Sequence, residues 1–479
     1  MRKYVRECIL SQQRPLVQGP VVTAKTSPFK IRNIRLFIAF RVFFNSRFYY
    51  PVFTILFLDF GLTLEQFAIL NLVWALTIVL LEIPSGALAD TIGRKNLLVF
   101  AGVCMVLEMS LLCFAPLGNP RLLFYIFLAN RVLSGSAEAA ASGADEALAY
   151  DSLKKEGDPD DWGKVLVRQM GFRSMGFVVA MSLGAAVYDP GLLGRLAAWF
   201  GLNISLNQDV TLRFPLYLTL ATAVLTLFIT LAMKRIEPPN NGKMLPEQKG
   251  RDSLVNAMKL TMAAGKWVLK TPFALVIIAT GMFFDHIIRM MITLNSQYYR
   301  LIDLPESVFG LIGSGLALLG LFIPRLAQKF AEKYSPAFNT GVLAMVTLTG
   351  FWGLTFFLPV FGIGPMILLS SVMYFTGFFV SHYLNRITDS SQRATVLSFK
   401  GMFFNLAYGF ICLFYSILLS MLRSRTSETD PQLAGQALEN NVFIQSIAWF
   451  PWYFMLTLMI LLVFAAWKLR HSKEHRMPG

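Results

Sequence analysis

Charge is what this 479-residue chain has least of: only 15% of its residues are Asp, Glu, Lys or Arg, against roughly 25% in ordinary soluble domains. A deficit of that size argues for a solvent other than water. Cysteine is scarce too. Cys8, Cys104, Cys113 and Cys412 form no CxxC pair and, with four histidines in the whole chain, no metal-ligand cluster, so neither a disulfide framework nor a metal centre is expected. Three of these cysteines sit in apolar stretches, where a small buried hydrophobe is the expected role. Glycine-rich phosphate loops and nucleophile–base pairs are missing as well. The sequence therefore reads as no enzyme, with no cofactor, and as no ATP-driven pump unless a separate subunit supplies the motor.

What the chain does have is apolar length. Hydrophobic residues make up 55% of it, with a mean hydropathy of +0.55. A membrane-crossing helix needs about 20 predominantly apolar residues. Twelve segments qualify, at 35–58, 66–88, 97–117, 122–149, 165–188, 212–233, 272–297, 307–328, 337–359, 363–386, 395–421 and 447–468. A short interfacial helix is expected at 191–200, and 422–446 reads as a larger outside loop.

The formal charge of +15 would raise the question of nucleic acid in a soluble protein, but here the bases fall in alternate loops. Arg94/Lys95, Lys154/Lys155/Lys164, Arg325/Lys329/Lys333 and Arg386/Arg393 mark one side, and the intervening loops are nearly base-free. The positive-inside rule then places both termini in the cytoplasm, as an even number of spans requires. No nucleic-acid partner is expected. Residues 1–33 are basic, lack a signal-peptide core and read as a cytoplasmic tail able to touch anionic lipid. The expected location is a bacterial-type inner (plasma) membrane.

The longest polar interruption, 234–270, opens with Pro238, Pro239 and Asn240–Gly242 and continues as a basic amphipathic stretch with Lys259, Lys266 and Lys270. It divides the chain into a tail (1–33), a first half (34–233), a linker (234–270), a second half (271–469) and a short tail (470–479). The halves echo each other weakly: Ile83-Pro84 ends the second span and Ile323-Pro324 ends the eighth. Internal duplication of this kind is expected of secondary transporters.

The sharpest motif lies between the second and third spans. Gly86-x3-Asp90-x2-Gly93-Arg94-Lys95 packs a small residue, an acid, a turn glycine and two bases into a tight corner. Gly86 is expected to allow close helix approach and Gly93 to permit the turn. The pattern resembles the loop 2–3 signature of the major facilitator superfamily, with Thr91 where that signature has a base. Arg131-x3-Gly135-x3-Ala139 similarly resembles the fourth-helix motif of the same family. The resemblance implies an all-α integral membrane fold of twelve transmembrane helices in two six-helix bundles. Helices 1, 4, 7 and 10 would line a central cavity, and the halves would rock in alternating access. It also implies that an acid in the run Asp145–Glu146 meets Arg94 as an inward-side gate, and that Arg131 takes part in coupling or substrate handling. The fifth span holds Gly171, Gly176 and Gly184 but lacks the G-x3-G-P pattern of drug/proton antiporters, which weakens a multidrug-exporter reading.

Ionisable groups inside a membrane are costly and mark function by default. Arg131, Glu138 and Asp145 are seven apart, so the helix expected here stacks them as a ladder on one face. Arg41 and Asn45 share a face of the first span, with Arg47 on another and Pro51 positioned to kink the helix. Asp285, His286 and Arg289 lie in the seventh span, where Asp285 and Arg289 are spaced to neutralise each other or to form a protonatable site. Glu82, placed to bond backbone donors freed by Pro84, and Glu108 are further candidates, with Arg173 a potential partner. The pathway candidates are thus Arg41, Asn45, Arg131, Glu138, Asp285, His286 and Arg289. The gate candidates are Gly86, Asp90, Gly93, Arg94, Lys95, Asp145 and Glu146.

The resulting expectation is a monomeric secondary transporter moving a small organic solute, coupled to protons. Four arginines (Arg41, Arg47, Arg131, Arg289) point to an anionic solute unless neighbouring acids consume them. The alternatives are an uncoupled facilitator of the same fold, or a receptor that has lost transport.

Overall fold

The computed structural model describes residues 27–202, 206–236, 250–388 and 393–474. The basic tail before residue 27, linker residues 237–249, the polar turn at Asp389 and the side chain of Asp90 lie outside the described residues. Among the described residues every regular element is helical, as a lipid solvent demands, because a helix satisfies its own backbone donors and acceptors.

The first half comprises α1 (Arg32–Asn45), α2 (Phe53–Asp59), α3 (Leu64–Thr91), α4 (Arg94–Cys113), α5 (Pro120–Ala141), α6 (Ala144–Glu156), α7 (Trp162–Tyr188), α8 (Pro190–Trp199) and α9 (Phe214–Ala232). The linker contains α10 (Gly250–Lys270). The second half comprises α11 (Pro272–Thr293), α12 (Asn295–Leu301), α13 (Glu306–Lys333), α14 (Pro336–Leu354), α15 (Ile363–Ile387), α16 (Arg393–Thr429), α17 (Gly435–Ile447) and α18 (Phe450–Glu474). The interfacial helix expected at 191–200 is α8. The loop expected at 422–446 is instead largely helical, since α16 runs on to Thr429 and α17 follows.

Among the described residues ten helices are long and apolar enough to cross a membrane. The other two expected spans depart from simple helices. In the first, Pro51 marks a complete break rather than a kink, with α1 ending at Asn45 and α2 starting at Phe53. Threonines of α9 cover part of the gap: Phe48 N–H donates to Thr219 Oγ1 (3.0 Å), and Thr222 Oγ1 donates to the Ser46 carbonyl (3.3 Å). In the fourth, the helix ends at Ala141 because Gly143 adopts a left-handed φ of 73°, a conformation glycine takes without steric cost. Asp145 therefore belongs to a separate helix, α6, and the ladder expected on one face stops at Glu138.

Large apolar side chains such as Leu80, Val167, Phe228, Met345 and Phe414 are exposed, the inverse of a soluble surface and suited to acyl chains. The two halves meet where α3 packs on α16 and α7 on α13. At the second contact a Cβ on Gly310 would stand 2.0 Å from the Met181 carbonyl oxygen, so glycine sets how near the two backbones come. α10 lies against both α3 and α16, touching each half. The ends of the bundle are called here the Gly93 end and the Asp59 end.

Candidate functional site

A cavity of about 480 Å³ lies between the halves toward the Gly93 end, lined by Arg41, Asn45, Trp74, Glu82, Glu138, Asp145 and Glu146 of the first half, among others, and Asn405 of the second. Its position follows from the two helix breaks. α1 ends at Asn45, presenting Arg41 and Asn45 on its last turns, and Asn45 Nδ2 folds back to the Arg41 carbonyl (2.7 Å). The turn at Gly143 directs the start of α6 toward α1. There Arg41 binds both acids at once, with Nε 2.5 Å from Asp145 Oδ2 and Nη2 2.6 Å from Glu146 Oε1. Asp145 is buried while Glu146 is exposed.

That arrangement corrects the expected gate. Arg94 meets neither Asp145 nor Glu146. It pairs with Asp151 and donates to the Ala147 carbonyl (3.1 Å), because the break at Gly143 spends the first two acids on Arg41 and brings a later turn of α6 beside Arg94. All of these bonds lie within the first half. Gly93 has a φ of 89° and forms the corner as its sequence position requires. Gly86, by contrast, is exposed, and a Cβ there would meet nothing within 4 Å, so no close helix approach depends on it. Lys95 is half-buried.

A second charged group sits deeper in the first half. Arg47 and Glu108, both fully buried, form an ion pair, and Glu138 stands 3.8 Å from the same guanidinium. Glu138 thus borders the cavity on one side and a buried ion pair on the other. Arg131 does not reach the cavity. It is buried, donates Nε and Nη2 to Asn130 Oδ1 (3.0 and 2.9 Å) and lies over the Phe53 and Phe57 rings. Its place is to tie α5 to α2. Arg173 is exposed and is not the buried acids' partner. The Glu82 carboxylate does not bond the backbone near Pro84: its Oε2 is buried without a hydrogen bond.

Across the cavity, Arg289 binds Asp285 (2.6 Å) and Asn405 Oδ1 (2.9 Å) and stacks over Tyr408. His286 points elsewhere. Its Nδ1 meets the Met282 carbonyl and its Nε2 the Tyr453 hydroxyl, both at 3.0 Å, in a groove lined by α11, α16 and α18. Arg41, Arg47, Arg131 and Arg289, which pointed toward an anionic solute, are each already engaged by an acid or an amide.

The Asp59 end carries bonds of another kind. Arg300 of α12 makes two parallel bonds to Asp59 (2.7 Å each) and two more to Glu306 Oε1 (3.1 and 2.5 Å), while Tyr188 Oη donates to Asp59 (2.5 Å). Arg423 of α16 binds Glu65 of α3 (2.5 Å) and also Glu439. Thr54 Oγ1 donates to the Thr293 carbonyl (2.6 Å), and Ser307 N–H donates to Asp189 Oδ2 (3.3 Å). The Arg300–Asp59, Arg423–Glu65, Thr54–Thr293 and Ser307–Asp189 bonds each join one half to the other, and Tyr188, Glu306 and Glu439 brace their partners from within a half. Burial alone would raise the Asp189 carboxyl, but hydrogen bonds from Ser307 and from the Leu192 and Gly191 backbone outweigh it and hold the group below its usual range. Sequence reasoning missed this end. The available signal was that acids of the first half (Asp59, Glu65) and bases of the second (Arg300, Arg423) occupy the same ends of their spans.

A multi-pass, all-helical membrane protein whose halves enclose a polar cavity and, among the described residues, are joined by ion pairs at one end is a transporter by class. The chain belongs to the Major Facilitator Superfamily, whose family model matches residues 35–411. Among solved structures it is similar to a bacterial homologue of the human lysosomal transporter Spinster in an inward-facing, occupied conformation (TM-score 0.67, 15% identity, 95% of this chain and 99% of that one). It is also similar to the nucleoside transporter NupG (TM-score 0.63, 14% identity, 91% and 98%) and to a D-xylose–proton symporter (TM-score 0.56, 11% identity, 88% and 97%). At such identities these likenesses speak for the fold alone. A comparison with curated protein sequences finds no match.

Proposed function

We propose that this protein is a proton-coupled secondary transporter of a small organic solute, working by alternating access and described here in a conformation open at the Gly93 end. The observation that carries the reading is the one-sided distribution of ion pairs between the halves among the described residues. The ion pairs of Arg300 and Arg423 close the Asp59 end, and the cavity's own ion pairs stay within a half. With both termini in the cytoplasm, as the loop bases argue, the open end faces inward. The structurally similar D-xylose–proton symporter supports coupling to protons as a mechanism compatible with this fold.

Glu138 is the proposed proton carrier. It is the acid that both lines the cavity and approaches the Arg47–Glu108 pair. Neutralising it would release Arg47 wholly to Glu108, and a buried charge arrangement of that kind is sensitive to a single proton. Rocking of the halves would then exchange the bonds at the Asp59 end for closure at the Gly93 end. α10, in contact with both halves, would have to follow. The Gly93 corner ties α4 to α6 through Arg94 and would govern how rigidly the first half moves, not which solute is chosen.

The test is flux into proteoliposomes with an imposed pH gradient, set beside counterflow without one. Gradient-driven accumulation supports coupling. Counterflow with no response to the gradient would identify an uncoupled facilitator of the same fold.

A further inference from the structure

Solute charge is readable from how the cavity's ions are spent. Among the described residues four acids line it, Glu82, Glu138, Asp145 and Glu146, against one base, Arg41. Arg41 is shared between Asp145 and Glu146. Glu138 has only the more distant side of Arg47, whose nearer partner is Glu108. Glu82 has nothing: it forms no ion pair among the described residues, and its Oε2 is shielded from solvent without a hydrogen-bond donor. On the facing wall Asp285 answers Arg289. Lys400 adds one base near Asp285, over the Phe404 ring and outside the cavity lining. Counting both layers, acids still exceed bases.

An unpaired carboxylate beside lipid-embedded walls is costly unless a cation or a proton joins it. Glu82 stands where the two halves come together: a Cβ on Gly401 of α16 would lie 3.9 Å from its Oε1. Aromatic rings complete the surroundings. Trp74 and Phe44 line the same cavity, and Trp74 is held edge-on to Tyr408 at 6.4 Å. Carboxylates and an indole lining one cavity can receive an ammonium group, through charge and through the ring quadrupole. A cavity of about 480 Å³ is within the range that encloses a small organic molecule.

We propose that the transported solute is an organic cation, bound through an ammonium or comparable cationic group by Glu82 and flanked by Trp74. This deepens the transporter reading and rests on it for the word transported; the charge preference of the cavity stands on the geometry. An anionic solute would face four acids, and among the described lining residues the one base, Arg41, is already occupied.

The experiment is calorimetric binding to the purified full-length protein at neutral pH, using three compounds of similar size and different charge: phenethylammonium, 3-phenylpropan-1-ol and 3-phenylpropanoate. The cation is expected to bind at least tenfold more tightly than either of the others. Glu82→Gln should remove most of that advantage while leaving the alcohol's affinity in place. Glu82→Asp, which keeps the charge, should retain it and controls for folding. Equal binding of cation and anion, binding of none of the three, or an unchanged preference in Glu82→Gln overturns the proposal. Counterflow of labelled phenethylammonium is measured separately. Binding preference without flux sinks the transport reading and leaves the cation site standing, whereas flux of all three compounds alike sinks the cation site and leaves transport standing.

Discussion

Arg300 and Asp59 meet through two parallel hydrogen bonds of 2.7 Å, Nη1 to Oδ1 and Nη2 to Oδ2, across the boundary between the halves. Bidentate pairs of this geometry combine charge with direction. Tyr188 and Glu306 hold the two partners from opposite sides, so the pair is a fixed joint. An alternating-access cycle must break it once per turnover.

Replacing Arg300 with alanine should therefore open the Asp59 end. Spin labels at Leu117 and Leu358, exposed on opposite halves at that end, are expected to show a broader and longer distance distribution by pulsed electron resonance. Solute flux should fall by an order of magnitude or more while the melting temperature changes little. An unaltered distance distribution would mean that the Arg423 cluster alone holds the end shut.

Glu138→Gln should separate exchange from coupling. Counterflow without a pH gradient is expected to persist, and accumulation driven by the gradient to disappear. Preserved accumulation would move the coupling site elsewhere, with Asp285 the next residue to change.

The Arg47–Glu108 pair makes a stability prediction. Arg47→Ala leaves the wholly buried Glu108 carboxylate without its base, a change that typically costs about 3–5 kcal/mol. A clear drop in Tm is expected. The double variant Arg47→Met/Glu108→Leu, which removes both charges at similar volume, should recover most of it. If the double variant melts as low as the single one, packing rather than charge explains the loss.

Arg94→Ala cuts two ties, both internal to the first half. Turnover is expected to slow without a change in the ranking of solutes, and the label distances at the Asp59 end should stay as they are. A reordered solute profile would show that the corner reaches the cavity.

Asp189 carries a pH prediction. Its carboxyl titrates below the usual range here, so its contribution to the closed Asp59 end is fully present above the unperturbed value and is lost only as pH falls below ~4. The label distance at that end should therefore be constant between neutral and mildly acidic pH as far as this residue is concerned. Asp189→Asn should leave the distance unchanged at neutral pH if the cross-half bond from Ser307 can go to the amide oxygen, and Asp189→Ala should lengthen it.

Much of the architecture was legible in the chain. Apolar length placed the spans, since runs of about 20 apolar residues suit a helix that satisfies its own backbone in hydrocarbon, and most boundaries fell within a few residues. The two breaks were not fully legible. Pro51 was visible, but a kink became a gap because Thr219 and Thr222 of a distant helix can serve the freed backbone. Gly143 was one glycine among 34, and nothing local distinguishes it from those that pass unnoticed through a helix. That one turn decided the partners of Asp145, Glu146 and Arg94 together.

By itself the sequence determined the solvent, the family and the list of buried charges, because burial in lipid forces long apolar runs and makes every ionisable residue within them conspicuous. Only the tertiary structure decided how those charges are spent. Ion pairing depends on which helix faces which, and residues such as Arg41 and Glu146 or Asp59 and Arg300 find each other over separations that no spacing rule covers. The four arginines that pointed to an anion were all engaged once the helices packed. Among the described acids of the cavity the one left unpaired is Glu82, and that remainder is a property of the packed molecule.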